Sequence, residues 1–146
     1  MEIIRERDPS LINRLSNQPG IMSNIAPKKQ VVDWTPFFEN PVGCIVLSNG
    51  DDAVQVYGQS AEKDWLVSTI FGPTCRGKRA LETGYAMREW MKPYVEQAFG
   101  PVPDYLPQAK WFYRKLGAEP VEYVESGGDI YYPDEGETMF VFRKAH

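Results

Sequence analysis

Apolar and polar positions alternate along this chain with two different periods. Glu2–Glu6 (EIIRE) reads as a short strand. Asp8-Pro9 then opens a helix, since an aspartate accepts bonds from exposed backbone N–H groups and proline fits the first helical position. Leu11, Ile12 and Leu15 fall on one face of it, and Gln18-Pro19-Gly20 stops it. Between Pro27 and Asn40, the residues Val31, Trp34, Phe37 and Phe38 suit a short helix that Pro36 interrupts. From Val42 the period shortens to two. Val42–Leu47, Ala53–Tyr57 and Trp65–Phe71 read as a meander of three antiparallel strands. Asn49-Gly50 is the hairpin signal between the first two, and Gly58–Asp64 is a polar turn before the third. Helical spacing returns with Ala80, Leu81, Gly84, Tyr85, Arg88 and Met91 along one flank, until Pro93. Pro101–Leu106 holds a short strand. Pro107 starts another helix, with Ala109, Phe112, Tyr113 and Leu116 along one side and Gly117 as its cap. Val121–Val124 and Met139–Phe142 form a last strand pair around a loop from Glu125 to Glu137.

This order of elements predicts a mixed α/β (α+β) sheet with helices packed on it, in a single domain spanning residues 1–146. A chain of this size buries roughly 68–70% of its unfolded surface and needs no covalent staples. Sixteen Lys and Arg against 20 Asp and Glu give a net charge of -4, which argues against general nucleic-acid binding. The two cysteines, Cys44 and Cys75, are too few for a disulfide framework. The single histidine is His146, so no histidine metal cluster or Ser-His-Asp set is expected, and no metal site. Met1–Asp8 is charged, and no apolar run nears the ~20 residues that span a bilayer. The expectation is a soluble, cytoplasmic protein with no membrane partner.

One segment carries more chemistry than the rest. After the strand ending at Phe71 comes a turn with Gly72, Pro73 and Gly77, and then a helix begins. Such a strand–turn–helix gathers free N–H groups and the positive end of a helix dipole at one point, which favours anions. Arg76, Lys78 and Arg79 crowd there too. Three cations at a helix start are unfavourable unless an anion joins them; solvated basic residues balanced by Glu82 are the plainer alternative. No Gly-Lys-Ser or Gly-Lys-Thr follows, which excludes the usual nucleotide P-loop.

The run FGPTCRGKRA between a strand and an amphipathic helix resembles the acyl-CoA-binding core of the Gcn5-related N-acetyltransferases (GNAT). The later WFYRKLGA, Trp111–Ala118, is similar to that family's second signature. The resemblance runs from about Glu2 to Lys144 and implies a twisted, mostly antiparallel sheet flanked by helices. It implies an N-acyltransferase that moves an acetyl group from acetyl-CoA, as cosubstrate, to a small-molecule or protein amine. By the same resemblance Val67, Ser68, Thr69, Ile70 and Phe71 form a splayed strand for the pantetheine arm. The N–H groups of Arg76, Gly77, Lys78, Arg79 and Ala80 hold the pyrophosphate, and Tyr113 is the general acid for the departing thiolate. The family's phosphate loop reads Arg/Gln-x-x-Gly-x-Gly/Ala; aligned through Arg76, the two small positions hold Arg79 and Leu81.

Other residues leave alternatives open. Glu62 and Asp64 precede the central strand and are base candidates without a motif. Trp34, Phe37 and Phe38 serve either an acceptor pocket or, more commonly for such residues, the core. By the resemblance Tyr131 and Tyr132 stand in a loop that contacts the acceptor, with an exposed hairpin tip as the equal alternative, and Cys75 reads as a bystander. Asp129, Asp134, Glu135 and Glu137 lack metal-loop spacing. AVQVYGQSAEKDWLVSTI, Ala53–Ile70, is also similar to small acetyltransferase-like proteins of bacteriophages, some of them associated with the virion interior. That resemblance implies a catalytically degenerate, structural or regulatory protein located in host cytoplasm or virion. A homodimer is compatible with either reading.

Overall fold

The computed structural model describes residues 1–23, 33–39 and 42–144; Pro27, Val31 and Asn40 of the expected short helix, and His146, lie outside them. The elements run β1 (Ile4–Arg5), α1 (Ser10–Ser16), β2 (Met22–Ser23), α2 (Thr35–Glu39), β3 (Cys44–Ser48), β4 (Ala53–Ala61), β5 (Asp64–Phe71) and α3 (Gly77–Met91). A 3-10 turn, Lys92–Tyr94, leads into β6 (Gln97–Pro103), α4 (Pro107–Lys115), β7 (Glu119–Val121), β8 (Val124–Ser126), β9 (Asp129–Tyr131) and β10 (Glu137–Arg143). Seven strands form one sheet in the order β1-β3-β4-β5-β6-β10-β7, with β2 added on β5, and β8–β9 form a separate hairpin. Every neighbouring pair is antiparallel except β5–β6. The mixed sheet flanked by helices is the architecture the element order predicts.

Several boundaries differ from the sequence pattern for local reasons. Gly58–Ala61 stay in β4 because they pair with β5, so the turn shrinks to Glu62-Lys63, with Lys63 at φ 63°. Asn49-Gly50 opens a four-residue loop rather than a two-residue turn: Asn49 Oδ1 accepts from the N–H groups of Asp51, Asp52 and Ala53. Pro36 falls in the first turn of α2, where proline costs nothing, and so does not interrupt it. β6 starts four residues before the expected Pro101 and pairs along its whole length with β10. β10 takes Glu119–Val121, not Val121–Val124, as its other partner. The loop expected from Glu125 to Glu137 contains the β8–β9 hairpin, turned by Gly127 and Gly128 at φ 60° and 84°.

The sheet carries a layer on each face. On one, α3 and α4 cover the largest apolar cluster, which includes Phe71, Met87, Met91, Phe112, Leu116 and Phe140. On the other, α1 and α2 cover Val46, Val54, Val56 and Ile70, and β8–β9 covers Phe99, Met139 and Val141. Each fully buried phenylalanine or leucine here contributes about 1.5–3 kcal/mol. Gly84 sets the α3–α4 approach, because a Cβ there would lie 2.8 Å from both Phe112 and Leu116. The one parallel junction, β5–β6, lies in the middle of the sheet between these layers.

Candidate functional site

β5 and β6 separate partway along. Their parallel ladder joins Asp64, Trp65 and Leu66 to Gln97, Ala98 and Phe99, then stops, although β5 runs on to Phe71 and β6 to Pro103. The sequence supplies the cause. Pro101 and Pro103 have no N–H with which to extend a ladder toward β5. Gly100 marks the point of divergence: a Cβ there would fall well inside contact distance of the Val67 carbonyl oxygen. The result is a fork in the sheet whose β5 side is Val67–Phe71. Along this strand Trp65, Val67, Thr69 and Phe71 point to the α3–α4 layer, and Leu66, Ser68 and Ile70 to the other face.

The outer part of that fork is not empty backbone. β2 pairs antiparallel with β5, Met22 with Phe71 and Ser23 with Ile70. β4 holds the other edge of the same residues, so β2 lies on the edge that faces β6. The expectation that Val67–Phe71 would offer its whole length to a pantetheine arm is corrected here: Ile70 and Phe71 already pair with β2. No pattern in the sequence pointed to β2, since two residues after a Pro-Gly stop carry no periodicity.

At the outer end of β5 the chain turns through Gly72–Cys75 into α3. The N–H groups of Gly77, Lys78 and Arg79 open this helix without an intrahelical acceptor, and the N-cap residue, Arg76, puts no side-chain acceptor on them. Gly77 has φ +56° with open space around its Cα, which suits glycine and lets a ligand approach the backbone. Ala80 is buried, and its N–H reaches back to the Arg76 carbonyl at 3.4 Å. The three cations do not act alike. Arg76 turns inward: its guanidinium donates to the carbonyls of Phe71, Gly72 and Cys75 at 3.2, 2.7 and 2.8 Å and also to Gly20. Burial holds its pKa below the usual arginine value. Arg79 donates through Nε and Nη2 to the carboxylate of Asp52, both at 3.0 Å, and Nη2 also to Asp51. Hydrogen bonding to Asp52, with the Asp52 charge, pushes its pKa up. Lys78 alone projects into solvent, 91% exposed, with Glu82 at 3.7 Å. Of the three cations expected to meet an anion, Arg76 and Arg79 are engaged by the protein, and Lys78 is the one that stands in solvent.

Tyr113 comes to the fork from α4. Its ring packs edge-on to Phe140 and Phe142, which pair with Gly100 and Ala98, so it crosses β6 over the two smallest side chains of that strand. Its hydroxyl lies 2.9 Å from Thr69 Oγ1. A buried chain continues from there: Gln55 Nε2 donates to Thr69 Oγ1 at 3.1 Å, and Tyr57 donates to Gln55 Oε1 at 2.6 Å. Burial pushes the Tyr113 phenol up to about 12, although the bond from Thr69 opposes this; burial pushes Tyr57 higher still. Tyr113 is therefore un-ionised at physiological pH. Gln55 and Tyr57 carried no sequence signal, because only the β4–β5 register puts Gln55 opposite Thr69.

The remaining candidates fall elsewhere. Asp64 accepts bonds from Gln97 Nε2 and Ser126 Oγ and so ties β8–β9 to the sheet; Glu62 is exposed in the β4–β5 turn. On the face opposite α3–α4, the β4 and β5 positions near the fork are Val54, Val56, Gly58, Leu66, Ser68 and Ile70, none of them a base. Trp34, Phe37 and Phe38 pack on the α1 cluster, and Trp34 Nε1 donates to Ser16 Oγ. Tyr131 packs against Phe99 with the rings tilted at 56°, and Tyr132 is exposed beside Tyr123. Cys75 is fully buried, and burial pushes its thiol up to about 11. Among the described residues no cluster of His, Cys, Asp and Glu is arranged to hold a metal, and no helix is long and apolar enough to cross a membrane.

Solved acetyltransferases share this fold over nearly their whole length. An N-acetyltransferase from Staphylococcus aureus Mu50 matches 97% of this chain over 96% of its own, with TM-score 0.66 and 16% identity. The yncA protein of Salmonella typhimurium, solved with its cofactor acetyl-CoA, matches 100% over 95%, with TM-score 0.66 and 14% identity. Spermidine N-acetyltransferase SpeG (F149A mutant) from Vibrio cholerae matches 98% over 95%, with TM-score 0.66 and 14% identity. No protein-family model matches the chain, and no curated protein matches it by sequence. At these identities the likeness defines the fold: this chain has the GNAT acetyltransferase fold over essentially its whole length.

Proposed function

We propose that this protein is an acyl-CoA-dependent N-acyltransferase acting on an amine. The observation that carries this reading is the fork at Leu66–Phe99, with three uncapped amides at the outer end of its β5 arm and a protonated tyrosine at its inner end. An acyl-CoA would supply a thioester, and the residues present fit it in part. The amides of Gly77, Lys78 and Arg79 and the ammonium of Lys78 suit a pyrophosphate. The backbone of Val67 and Ser68 suits an extended amide-bearing arm, because it lies on the fork side of β5 beyond the Met22–Ser23 pairing. The Tyr113 hydroxyl is the donor for a departing sulfur, and its high pKa keeps the proton available. Most of the acceleration on such a scaffold comes from orientation, which a rigid fork provides. With no base on the β4 and β5 positions facing away from α3–α4, the amine reacts as the neutral species or loses its proton to water.

β2 limits the fit, because a pantetheine arm and β2 cannot share the Ile70–Phe71 edge. This supports a second reading, a non-catalytic protein on the same scaffold, of the kind implied by the resemblance to phage-encoded proteins. The engagement of Arg79 by Asp52 favours it as well. Calorimetric titration with CoA and acetyl-CoA separates the two. Under the first reading acetyl-CoA at 100 times its Kd stabilises the fold by about 2.7 kcal/mol, or roughly 5–10 °C in Tm for a domain of this size. No heat and no thermal shift at millimolar acetyl-CoA leaves the second reading.

A further inference from the structure

The α3–α4 face holds a cavity of about 340 Å³ behind the fork, with which it shares Gln55, Val67 and Ala98. It lies under the C-terminal half of α3, beginning at Gly84, so it is about 10 Å along the helix from the amides at Gly77. Its inner wall is formed by Gln55, Tyr57, Val67, Met91, Ala98 and Leu116. The space exists for two reasons. Gly84 draws the end of α4 against α3, and beyond that contact the short side chains Val67 and Ala98 leave the sheet uncovered where the helix gives way to the Lys92–Tyr94 turn. The volume equals that of about eleven liquid waters and falls at the small end of ligand pockets.

The chemistry of this cavity is uneven. The wall is mostly apolar, with Phe142 and Tyr57 as aromatic surfaces and with Gln55 and the Tyr57 hydroxyl as polar groups. The rim carries Arg88, Glu89, Lys92, Arg143 and Lys144. Arg143 pairs with Glu119 and Lys144 with Glu96. Arg88 and Lys92 have no carboxylate in ion-pair reach among the described residues, and Glu89 is exposed. Arg88 is half-buried and held in place: Nη1 donates to the Leu116 carbonyl, and the guanidinium stands 6.0 Å over the Phe142 ring. A planar guanidinium has five N–H donors, so a fixed fork with donors to spare stands at the mouth of an apolar, aromatic-walled space. That arrangement matches a carboxylate on a flat apolar body.

We propose that this cavity binds a small aromatic carboxylate, its carboxylate on Arg88, its ring against Phe142 and Tyr57, and its far end toward Gln55. The contacts on Arg88 and Phe142 lie outside the β5 arm of the fork, and their test needs no acyl transfer. The experiment is a ¹H–¹⁵N titration of the whole protein with 4-hydroxybenzoate, and in parallel with the neutral 4-hydroxybenzamide. The expected result is saturable shifts at Arg88, Met91 and Phe142 with a Kd of about 1 mM, as suits a ligand of this size. The amide binds at least about tenfold more weakly, as does the acid to Arg88→Gln, because a charge-assisted bond is lost. Lys92→Ala, a change at an exposed rim position, weakens the acid about two- to fivefold and keeps the proposal testable if Arg88→Gln fails to fold. Saturating CoA leaves these shifts in place. No saturable shift up to 10 times the expected Kd, equal binding of acid and amide, unchanged affinity in both variants, or displacement by CoA would each overturn the proposal.

Discussion

Asp52 is the residue on which the loop before α3 depends, and Asp52→Asn measures how much. The side chain is buried, and its carboxylate accepts four bonds: Arg79 Nε and Nη2 at 3.0 Å each, Asn49 Nδ2 at 2.7 Å and Thr74 Oγ1 at 2.7 Å. Its carbonyl also accepts from the Gly72 N–H at 2.7 Å. One residue thus joins the β3–β4 loop to the turn that starts α3. Burial by itself would raise the carboxyl pKa; the bonds from Arg79, Asn49 and Thr74 and the Arg79 charge outweigh it and bring it from 3.8 to about 2. That difference is worth about 2 kcal/mol at most, and solvent at the exposed side of Arg79 keeps it within about 1–2 kcal/mol. The native state binds the proton more weakly than the unfolded chain, so this stability is present above pH 3.8 and is lost as pH falls through 2. Asp52→Asn should therefore cost about 1–2 kcal/mol at pH 7, or roughly 3–6 °C in Tm. The gap from wild type should close between about pH 4 and pH 2. Urea unfolding followed by tryptophan fluorescence at several pH values measures it. In an Arg79→Gln background the same substitution should cost less than half as much, because the partner is gone. A gap that persists unchanged at pH 2, or full additivity of the two substitutions, refutes the reasoning.

Three further outcomes follow from the geometry. Lys78→Ala should weaken CoA binding by about three- to tenfold in calorimetry and Arg79→Ala by less than about twofold, since only Lys78 is free to meet a phosphate. Gly100→Ala should destabilise the fold by about 2–4 kcal/mol in urea melts, because its Cβ has no room beside the Val67 carbonyl; a loss under 0.5 kcal/mol would show that the strands at the fork are free to part. Tyr113→Phe should cost about 1 kcal/mol of stability through the lost bond to Thr69, and lower kcat by about 100-fold with KM unchanged if the tyrosine protonates the leaving group. The same phenol ionises near 10 when unfolded and about 12 when folded. Wild type should accordingly lose stability faster than Tyr113→Phe between pH 10 and 12.

Much of the architecture can be read along the chain because it is local. Period-two apolar runs place β3, β4 and β5. Period-3.6 runs bounded by Pro93, Pro107 and Gly117 place α3 and α4. The glycine-rich turn after Phe71 marks where one pattern becomes the other. Those signals depend only on which side chains a segment must bury, so they survive without knowledge of the neighbours. The site was legible in part for the same reason: Gly77 and the start of α3 are a local feature, and so is Tyr113 on the buried flank of α4.

What the chain could not show by itself is which groups already have partners. Arg76, Lys78 and Arg79 look equivalent in sequence, yet one is folded into backbone carbonyls, one reaches solvent and one belongs to Asp52, twenty-seven positions away. β2 carries no periodicity and exists only because β5 leaves an edge unpaired beside it. Gln55 becomes part of the Tyr113 chain only through the register that sets it opposite Thr69. Hydrophobic burial is additive and local enough to be read from a pattern. Hydrogen bonds and ion pairs are specific to a single partner at about 3 Å, and that choice is made when distant segments meet.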